Sequence, residues 1–424
     1  MIKKYIKRDI FTNIKRHLIK KEITMIVGPR QCGKTTIMNF LVKELQKKNK
    51  KVLFLNLDIE GDEKYFESQE KLLNKIKLEF GEKSGFVFID EIQNKKQAGR
   101  FLKGLYDMNL PYKFIVSGSG NIEIKEKIGE SLMGRKKLFQ MRPITFEEFV
   151  NFKTDYKYEK RLNGFFEIEN EKTNIFLLEY LNFGGYPKII TSSSIEEKNI
   201  EMSEIFNSYI NKDIIKWLRV EKIDAFEKLI KIIASQIGNL VDFSKLASDT
   251  GLSIETTKNY LWYLRKTFII KKCSPFFRNK RKEIVKAPIY YFYDLGLRNY
   301  IINQFGKIEE LSNDIGFLFE NLIFNDLNEK IKFTNLKVDF WRTKSQAEVD
   351  FVFDLGHNLV PIEAKFKNFQ QPKIGKSLQS FIKKYKPKKA FIVNKNLSKK
   401  IIYQDAEVEF ITFYQIDRIL KTIL

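Results

Sequence analysis

Apolar residues in the first 145 positions occur as short runs separated by longer stretches of mixed polarity. Such runs, when bounded by turn residues, predict buried strands. They lie at residues 23–27, 52–57, 86–90 and 114–117, with a further one at 138–142 that ends before Pro143. The stretches between them predict helices, which extend from the loop after the first strand to about residue 48 and over residues 69–80 and 97–108. Because strands alternate with helices, residues 1–145 are predicted to form one α/β domain with a parallel sheet covered on both faces.

The remainder of the chain shows three further patterns. Residues 146–222 have a helical pattern interrupted at Gly184-Gly185-Tyr186-Pro187, which predicts a helical lid or connector. Residues 223–293 show helices followed by strands rich in tyrosine and phenylalanine, and residues 294–424 begin with helices and continue into alternating strands. The predicted fold class is therefore a multidomain α/β chain with boundaries near residues 145, 222 and 293.

Composition narrows the class of protein. A length of 424 residues predicts two to four domains, and a hydrophobic fraction of 43% is sufficient for packed cores. No apolar run approaches the roughly 20 residues of a membrane-spanning helix. The basic N-terminus is not followed by a signal-peptide pattern, so we expect a cytoplasmic protein without a membrane partner. With two cysteines and two histidines, a zinc site of the Cys/His type is excluded, and a catalytic metal would need carboxylate ligands.

The net charge of +23 has two interpretations. A basic protein attracts anionic partners such as nucleic acid. The chain is also rich in lysine, isoleucine and asparagine throughout, so the charge is equally consistent with a general compositional bias and solvated faces. The location of the basic residues therefore matters more than their number.

The most specific motif follows the first predicted strand. The residues from Gly28 to Thr35 fit the pattern G-x-x-x-x-G-K-S/T and precede a predicted helix. In such a loop, backbone N–H groups at a helix N-terminus surround the phosphates of ATP. Lys34 would contact the β- and γ-phosphates, and Thr35 would bind Mg²⁺. The predicted nucleotide-binding residues of this loop are Gly28, Pro29, Arg30, Gln31, Cys32, Gly33, Lys34, Thr35 and Thr36.

Acidic and polar residues at the ends of two later strands complete the predicted ATP site. Asp90 would help to hold the magnesium ion, and Glu91 would orient the attacking water. Ser119 and Asn121, after the fourth strand, are candidates to sense the γ-phosphate. Arg135 is either a surface arginine or a finger that completes the site of a neighbouring subunit.

This region resembles the AAA+ ATPases, in particular a prokaryotic group with a GPRQ-x-GKT loop. The shared features stand at Gly28–Thr35, Asp90-Glu91, Gly118-Ser119, Gly134-Arg135 and Pro143–Phe149, and the resemblance continues through Gly184-Gly185-Tyr186-Pro187. It implies nucleotide-dependent assembly into a homo-oligomer. No arginine of the lid can be assigned as a second sensor from the sequence.

Residues 242–293 have the pattern of a winged helix-turn-helix. A short helix that ends at Gly251 precedes a second helix capped by Ser253, and the first residues of a recognition helix contact DNA. Two strands follow, joined by a basic tip that suits phosphate contact. The predicted DNA-binding residues are Thr257, Lys258, Arg278, Lys280, Arg281 and Lys282. The alternative is a packing or protein-interaction module.

A carboxylate–lysine cluster follows in the last segment. In Glu363-Ala364-Lys365, the period of a strand places both charged side chains on one face, and a hairpin would bring Asp350 beside them. Two carboxylates and a lysine can hold Mg²⁺ or Mn²⁺, with Asp350 and Glu363 as ligands, and position a hydroxide for attack on a phosphodiester. The alternative is a salt-bridged hairpin in which Lys365 only neutralises the acids.

This cluster resembles the PD-(D/E)xK fold of restriction endonucleases, and Glu320 matches an additional acid of that fold. The complete layout resembles prokaryotic AAA-type ATPases with a C-terminal nuclease-like domain of unsettled role. Three hypotheses follow: an ATPase that binds DNA and deploys a nuclease-like domain, an ATP-dependent regulatory switch with an inactive nuclease fold, and a protein-remodelling ATPase.

Overall fold

The computed structural model describes residues 5–119, 132–210, 222–277, 287–307 and 314–424. The chain divides into two compact units. The first comprises Met1–Ile144, Tyr186–Glu221 and Leu261–Ile269, and the second comprises Thr145–Gly185, Lys222–Tyr260 and Ile270–Leu424. The predicted helical segment 146–222 is thus divided at Gly185. In the part of the chain that is described, no helix combines the length and apolar character needed to cross a membrane.

The first unit is built on a five-stranded parallel sheet. Its strands are β1 (Ile23–Gly28), β2 (Val52–Asn56), β3 (Gly85–Asp90), β4 (Tyr112–Ser119) and β5 (Lys136–Gln140), in the order β2-β3-β4-β1-β5. All four strand pairs are parallel, which confirms the predicted α/β domain. Its helices are Ile10–His17, Lys34–Lys47, Glu60–Glu63, Gln69–Phe80, Ala98–Asp107, Pro187–Thr191 and Ile195–Ser208, with 3₁₀ turns at Lys64–Phe66 and Ile92–Asn94.

The strand order of this sheet positions the site. Ile26, Phe88 and Ile115 pack in one core with residues of helix Lys34–Lys47, which fixes the three central strands. Gly28 lies opposite Ser119 across the β1–β4 pair, so the loop after β1 begins beside the end of β4. In parallel sheets, ligands bind at the carboxyl ends of the strands. The ends of β1, β3 and β4 therefore form a common edge.

The second unit contains a mixed sheet of eight strands within the described residues, in the order β12-β13-β11-β10-β9-β8-β6-β7. The strands are β6 (Ile270–Pro275), β7 (Ile289–Phe292), β8 (Asp339–Arg342), β9 (Glu348–Asp354), β10 (Leu359–Ala364), β11 (Lys389–Asn394), β12 (Lys399–Tyr403) and β13 (Ala406–Thr412). Its helices are Phe146–Lys153, Leu162–Ile168, Asn170–Phe183, Ile223–Ser235, Phe243–Thr250, Leu295–Ile301, Ile315–Lys330, Lys376–Tyr385 and Asp417–Ile423, with a 3₁₀ turn at Phe413–Gln415. Helix Ile254–Lys266 contributes residues to both units.

The two strands predicted as a wing are continuous with this sheet. β6 pairs with β7 in antiparallel fashion, and Ser274 and Pro275 also pair with Asp339 and Phe340 of β8. The sheet therefore does not break at the boundary near residue 293 that the sequence pattern predicts. The reason is a backbone pairing between residues more than sixty positions apart, which local patterns do not reveal.

A buried polar cluster explains the interruption at Gly184-Gly185. Asp294 accepts a hydrogen bond from the N–H of Gly185 at 2.7 Å and caps the next helix through the N–H of Leu297 at 2.9 Å. Gly184 has a φ of +73°, and a Cβ atom there would lie 2.3 Å from Asp294 Oδ1 and 2.6 Å from the nitrogen of Gly296. Only glycine fits this close approach.

Replacing Gly184 by alanine should therefore destabilise the second unit by ~2 kcal/mol or more, because both the left-handed backbone and the contact with Asp294 become strained. The matched control is Gly164→Ala, since a Cβ at Gly164 meets no atom within 4 Å. In helix Leu162–Ile168 this change should be neutral or stabilising by up to about 1 kcal/mol. Urea denaturation followed by circular dichroism measures both. Equal midpoints for the two variants would contradict the packing described here.

Candidate functional site

The loop after β1 has the conformation of a phosphate-binding loop. Gln31 and Gly33 have left-handed backbone angles, with φ of +56° and +97°. A Cβ at Gly28 would lie 2.6 Å from the carbonyl oxygen of Met141, so the start of the loop requires glycine. Lys34 is buried, and its ammonium donates to the carbonyls of Gly28 at 3.2 Å and Pro29 at 2.7 Å. The lysine therefore lies inside the curve of the loop, where it would contact the oxygens of a bound phosphate.

The N-terminal segment also holds this loop, which the sequence reasoning missed. Arg8 is buried, and its guanidinium donates to the carbonyl of Cys32 at 2.9 Å and to those of Arg142 at 2.5 Å and Pro143 at 3.4 Å. Cys32 is itself fully buried, whereas Thr36 is exposed. One arginine thus connects the loop to the segment after β5. A single arginine in a basic N-terminus carries no sequence signal for this role.

The two residues predicted to bind Mg²⁺ at the ATP site, Thr35 and Asp90, are in direct contact. Thr35 Oγ1 donates to Asp90 Oδ2 at 2.6 Å, and Ser117 Oγ donates to the other carboxylate oxygen. Asp90 is fully buried at the end of β3. A threonine hydroxyl and a carboxylate are oxygen donors of the kind that Mg²⁺ prefers. The donor chemistry of this pair therefore fits a magnesium ion.

Glu91 follows with a left-handed backbone, φ +55°, so the chain leaves the extended strand conformation at this residue. Its N–H donates to Asp90 Oδ1 at 3.1 Å and Ser117 Oγ at 3.4 Å. Burial raises the pKa of the Glu91 carboxyl above its usual value, and the charge of Lys34 opposes that rise. A carboxylate whose pKa lies closer to neutrality is better suited to accept a proton from water.

Gln93 connects Glu91 to β4 through its side-chain amide. Gln93 donates its side-chain amide to the Glu91 carboxylate, and its oxygen accepts the N–H of Ser119 at 3.3 Å. The hydroxyl of Ser119 is buried and has no hydrogen-bond partner among the described residues. The sequence predicts a role for Ser119 but not for Gln93. A polar residue two positions after the acidic pair was the available signal.

The remaining predicted nucleotide residues are less informative. Arg135 Nε pairs with Asp107 at 2.7 Å, and this hydrogen bond raises the pKa of the guanidinium. An action on a neighbouring subunit would require this pair to open. Asn121 lies outside the described residues.

The structure brings Asp350, Glu363 and Lys365 together in the second unit. Lys365 Nζ lies 3.4 Å from Asp350 Oδ2 and 3.8 Å from Glu363 Oε2. Asp350 on β9 also accepts the N–H of Ala364 on β10 at 2.7 Å, which fixes its carboxylate beside the end of that strand. Burial raises the pKa of Glu363 to about 7, although the charge of Lys365 opposes this. Both acids raise the pKa of the Lys365 ammonium.

Glu320, on helix Ile315–Lys330, lines a cavity together with Glu363 and Lys365. Its carboxylate accepts a hydrogen bond from the hydroxyl of Tyr291. Burial and the nearby charge of Asp350 raise its pKa well above the usual value. The cavity has a volume of about 530 Å³ and is lined by Glu320, Glu363, Lys365, Lys367 and Lys373 among other residues. Acidic and basic side chains therefore line the same cavity.

A metal ion held by Asp350 and Glu363 would need further ligands that are not side chains. Among the described residues, no three histidine, cysteine or carboxylate side chains converge closely enough to hold a metal ion. Magnesium is commonly held by one or two carboxylates together with water and substrate phosphates. Asp350 and Glu363 fit that mode, whereas a site made of protein ligands alone does not fit.

The helix-turn-helix prediction requires one correction. Asp242 caps helix Phe243–Thr250 through the N–H groups of Ser244 and Lys245, and the helix ends at Gly251 with a φ of +68°. Thr257, however, is fully buried, and its hydroxyl donates to the carbonyl of Ser253 at 2.9 Å. It cannot contact DNA, because it lies on the packed face of its helix.

Lys258, the next residue, is exposed, and its ammonium lies 5.5 Å from the ring centroid of Phe243. It therefore remains a candidate for contact with DNA. The other predicted DNA-binding residues lie outside the described part of the chain: Arg278, Lys280, Arg281 and Lys282.

Three family models match separate parts of the chain. Residues 20–150 match an AAA domain, and residues 176–307 and 315–415 each match a domain of unknown function, DUF8612 and DUF4143. The relatives found are uncharacterized proteins. MJ1544 of Methanocaldococcus jannaschii is 27% identical over 96% of this chain and 87% of its own length. Rv2008c of Mycobacterium tuberculosis is 22% identical over 88% of this chain and 76% of its own length.

Two solved structures are similar at a low level. Cdc6p from Pyrobaculum aerophilum has a TM-score of 0.31 and 11% identity, and the match covers 72% of this chain and 96% of Cdc6p. AMPPCP-bound DnaA from Aquifex aeolicus has a TM-score of 0.28 and 12% identity, over 62% of this chain and 90% of DnaA. At these TM-scores the likeness assigns nothing to this chain. The match of residues 20–150 confirms the AAA-type P-loop domain that the sequence predicts.

Proposed function

We propose that this protein is an ATPase and that its first unit binds and hydrolyses ATP. The observation that carries this proposal is the 2.6 Å hydrogen bond between Thr35 and Asp90, beside a loop that holds a buried lysine. These are the groups that P-loop proteins use for nucleotide and magnesium. The AAA-domain match over residues 20–150 supports the same conclusion independently.

Each residue has a role that follows from its position. N–H groups of the loop would bind phosphate oxygens, and Lys34 would exchange its loop carbonyls for the β- and γ-phosphates. Thr35 and Asp90 would hold Mg²⁺, which when bound neutralises phosphate charge. Glu91 would orient a water molecule and accept its proton, since its carboxylate is buried and its backbone turns out of the strand.

We expect Lys34→Ala to abolish measurable ATP binding, because no other buried ammonium lies in the described part of the loop. Glu91→Gln should retain binding but lose about 10²–10⁴-fold in turnover, since the amide cannot accept the proton. A fluorescent ATP analogue measures binding, and released phosphate measures turnover. Lys43→Ala, an exposed lysine of the same helix, is the control. ATP turnover at the wild-type rate in Glu91→Gln would show that Glu91 takes no part in hydrolysis.

We also propose that the second unit engages DNA through the cavity that is lined by Glu363 and Lys365, beside Asp350. The three lysines that line that cavity can bind phosphates beside two carboxylates suited to Mg²⁺ or Mn²⁺. The net charge of +23 is compatible with an anionic partner. ATP state would then control assembly or DNA engagement. The alternatives are a regulatory switch with an inactive nuclease-like fold and a protein-remodelling ATPase.

The expected activity is Mg²⁺- or Mn²⁺-dependent nicking of plasmid DNA that is lost in Glu363→Ala. Glu407→Ala is the matched control, because Glu407 is also a lysine-paired carboxylate of the same sheet, at 3.3 Å from Lys389 and 3.2 Å from Lys400. DNA binding should weaken as salt rises, since counterions are released.

Each alternative predicts a different result in the same assays. Nicking that survives Glu363→Ala would place the chemistry elsewhere. Salt-sensitive binding without nicking would favour the regulatory switch. Failure to bind duplex DNA at low salt would leave a protein-remodelling ATPase as the remaining hypothesis.

A further inference from the structure

Gln93 makes a two-sided connection inside the first unit. It lies in the 3₁₀ turn Ile92–Asn94 directly after the acidic pair, and its side chain is 4% exposed. The amide nitrogen donates to the Glu91 carboxylate, and the amide oxygen accepts the N–H of Ser119. Because a side-chain amide has one donor end and one acceptor end, the two partners fix its orientation.

The far end of this connection is positioned to meet a ligand. Ser119 is the last residue of β4 and lies opposite Gly28, where the phosphate loop begins. Its hydroxyl is buried and lacks a partner among the described residues, which is costly unless a ligand supplies one. β4 therefore contacts both acids, since Ser117 bonds Asp90 directly and Ser119 reaches Glu91 through Gln93.

We propose that Gln93 is a positioning residue that ties the Glu91 carboxylate to the end of β4. A phosphate oxygen bound by the Ser119 hydroxyl then determines, through the Ser119 N–H, how Glu91 is held for the attacking water. This inference rests on the proposed ATPase function. It adds a route by which the terminal phosphate of the substrate controls the residue that activates water.

The side-chain amide of Asn94, the next residue, has a different hydrogen-bond partner from that of Gln93. Asn94, in the same turn, donates to Asp58 at 2.6 Å instead of to Glu91. At the end of β2, the side chain of Asn56 accepts the N–H of Asp58 at 2.9 Å. Among the described residues, the amide bonded to the Glu91 carboxylate is that of Gln93.

The surroundings of Glu91 make the proposal measurable by kinetics. The charged groups that face Glu91 are Lys34, Asp90 and Asp58, and Gln93 is the uncharged donor. Loss of that donor should leave the Glu91 carboxylate misplaced for the attacking water while the phosphate loop stays intact. Turnover should therefore fall much more than ATP affinity.

The test compares Gln93→Leu and Gln93→Glu with the control Asn94→Leu. Gln93→Leu removes both bonds, whereas Gln93→Glu has the same shape, can still accept from Ser119 and repels Glu91. We expect both Gln93 variants to lose at least about 10-fold in kcat with ATP affinity changed less than about threefold, because the phosphate loop is untouched. The loss in kcat should be largest in Gln93→Glu, because the new carboxylate repels Glu91. Asn94→Leu should keep the wild-type kcat and ATP affinity.

A double variant, Gln93→Leu with Glu91→Gln, tests whether Gln93 acts through Glu91. The second change should then add less than about twofold to the loss caused by Glu91→Gln alone, because coupled residues are not additive. A multiplicative loss would overturn the proposal, as would a wild-type kcat in both single variants. A wild type that hydrolyses no more ATP than Lys34→Ala would instead refute the ATPase function itself, and this inference with it. Melting temperatures identify any loss due to misfolding.

Discussion

The parallel pairing of β1 with β4 is the constraint on which the candidate nucleotide site depends. It places Gly28 opposite Ser119, and the pairing of β3 with β4 adds Asp90 and Glu91 at the same edge. The groups come from segments about sixty and ninety residues apart in the chain. Side chains of this kind converge only because parallel strands end together at one edge of a sheet.

Much of this edge could be predicted from the sequence. The phosphate loop and the acidic pair are local patterns, and buried parallel strands appear as short apolar runs that the structure reproduces. The contacts made by Arg8 and Gln93 could not be predicted in the same way, because both join segments that are distant in sequence. The burial of Thr257 was missed for a related reason, since a threonine near a helix start suits either solvent or a packed face.

In the second unit too, local sequence patterns predict near neighbours but not contacts between distant segments. Alternation along β9 and β10 was sufficient to place Asp350 near Glu363 and Lys365. The attachment of β6 to β8 depends on tertiary pairing, and a domain boundary drawn from local pattern falls inside the sheet. The electrostatic character of the cavity also emerges only from burial. Glu320 and Glu363 hold protons more tightly than exposed glutamates because the fold removes them from water.

The support given to the phosphate loop has a consequence for nucleotide discrimination. Arg8 fixes the Cys32 carbonyl, Lys34 fixes those of Gly28 and Pro29, and Gly28 fits against Met141. A loop that is ordered in advance loses little conformational entropy when it binds its ligand. The loop would therefore bind the diphosphate part of ATP and that of ADP equally well. Under the proposed function, the preference between the two nucleotides would then depend on groups outside the loop, such as the buried Ser119 hydroxyl at the end of β4.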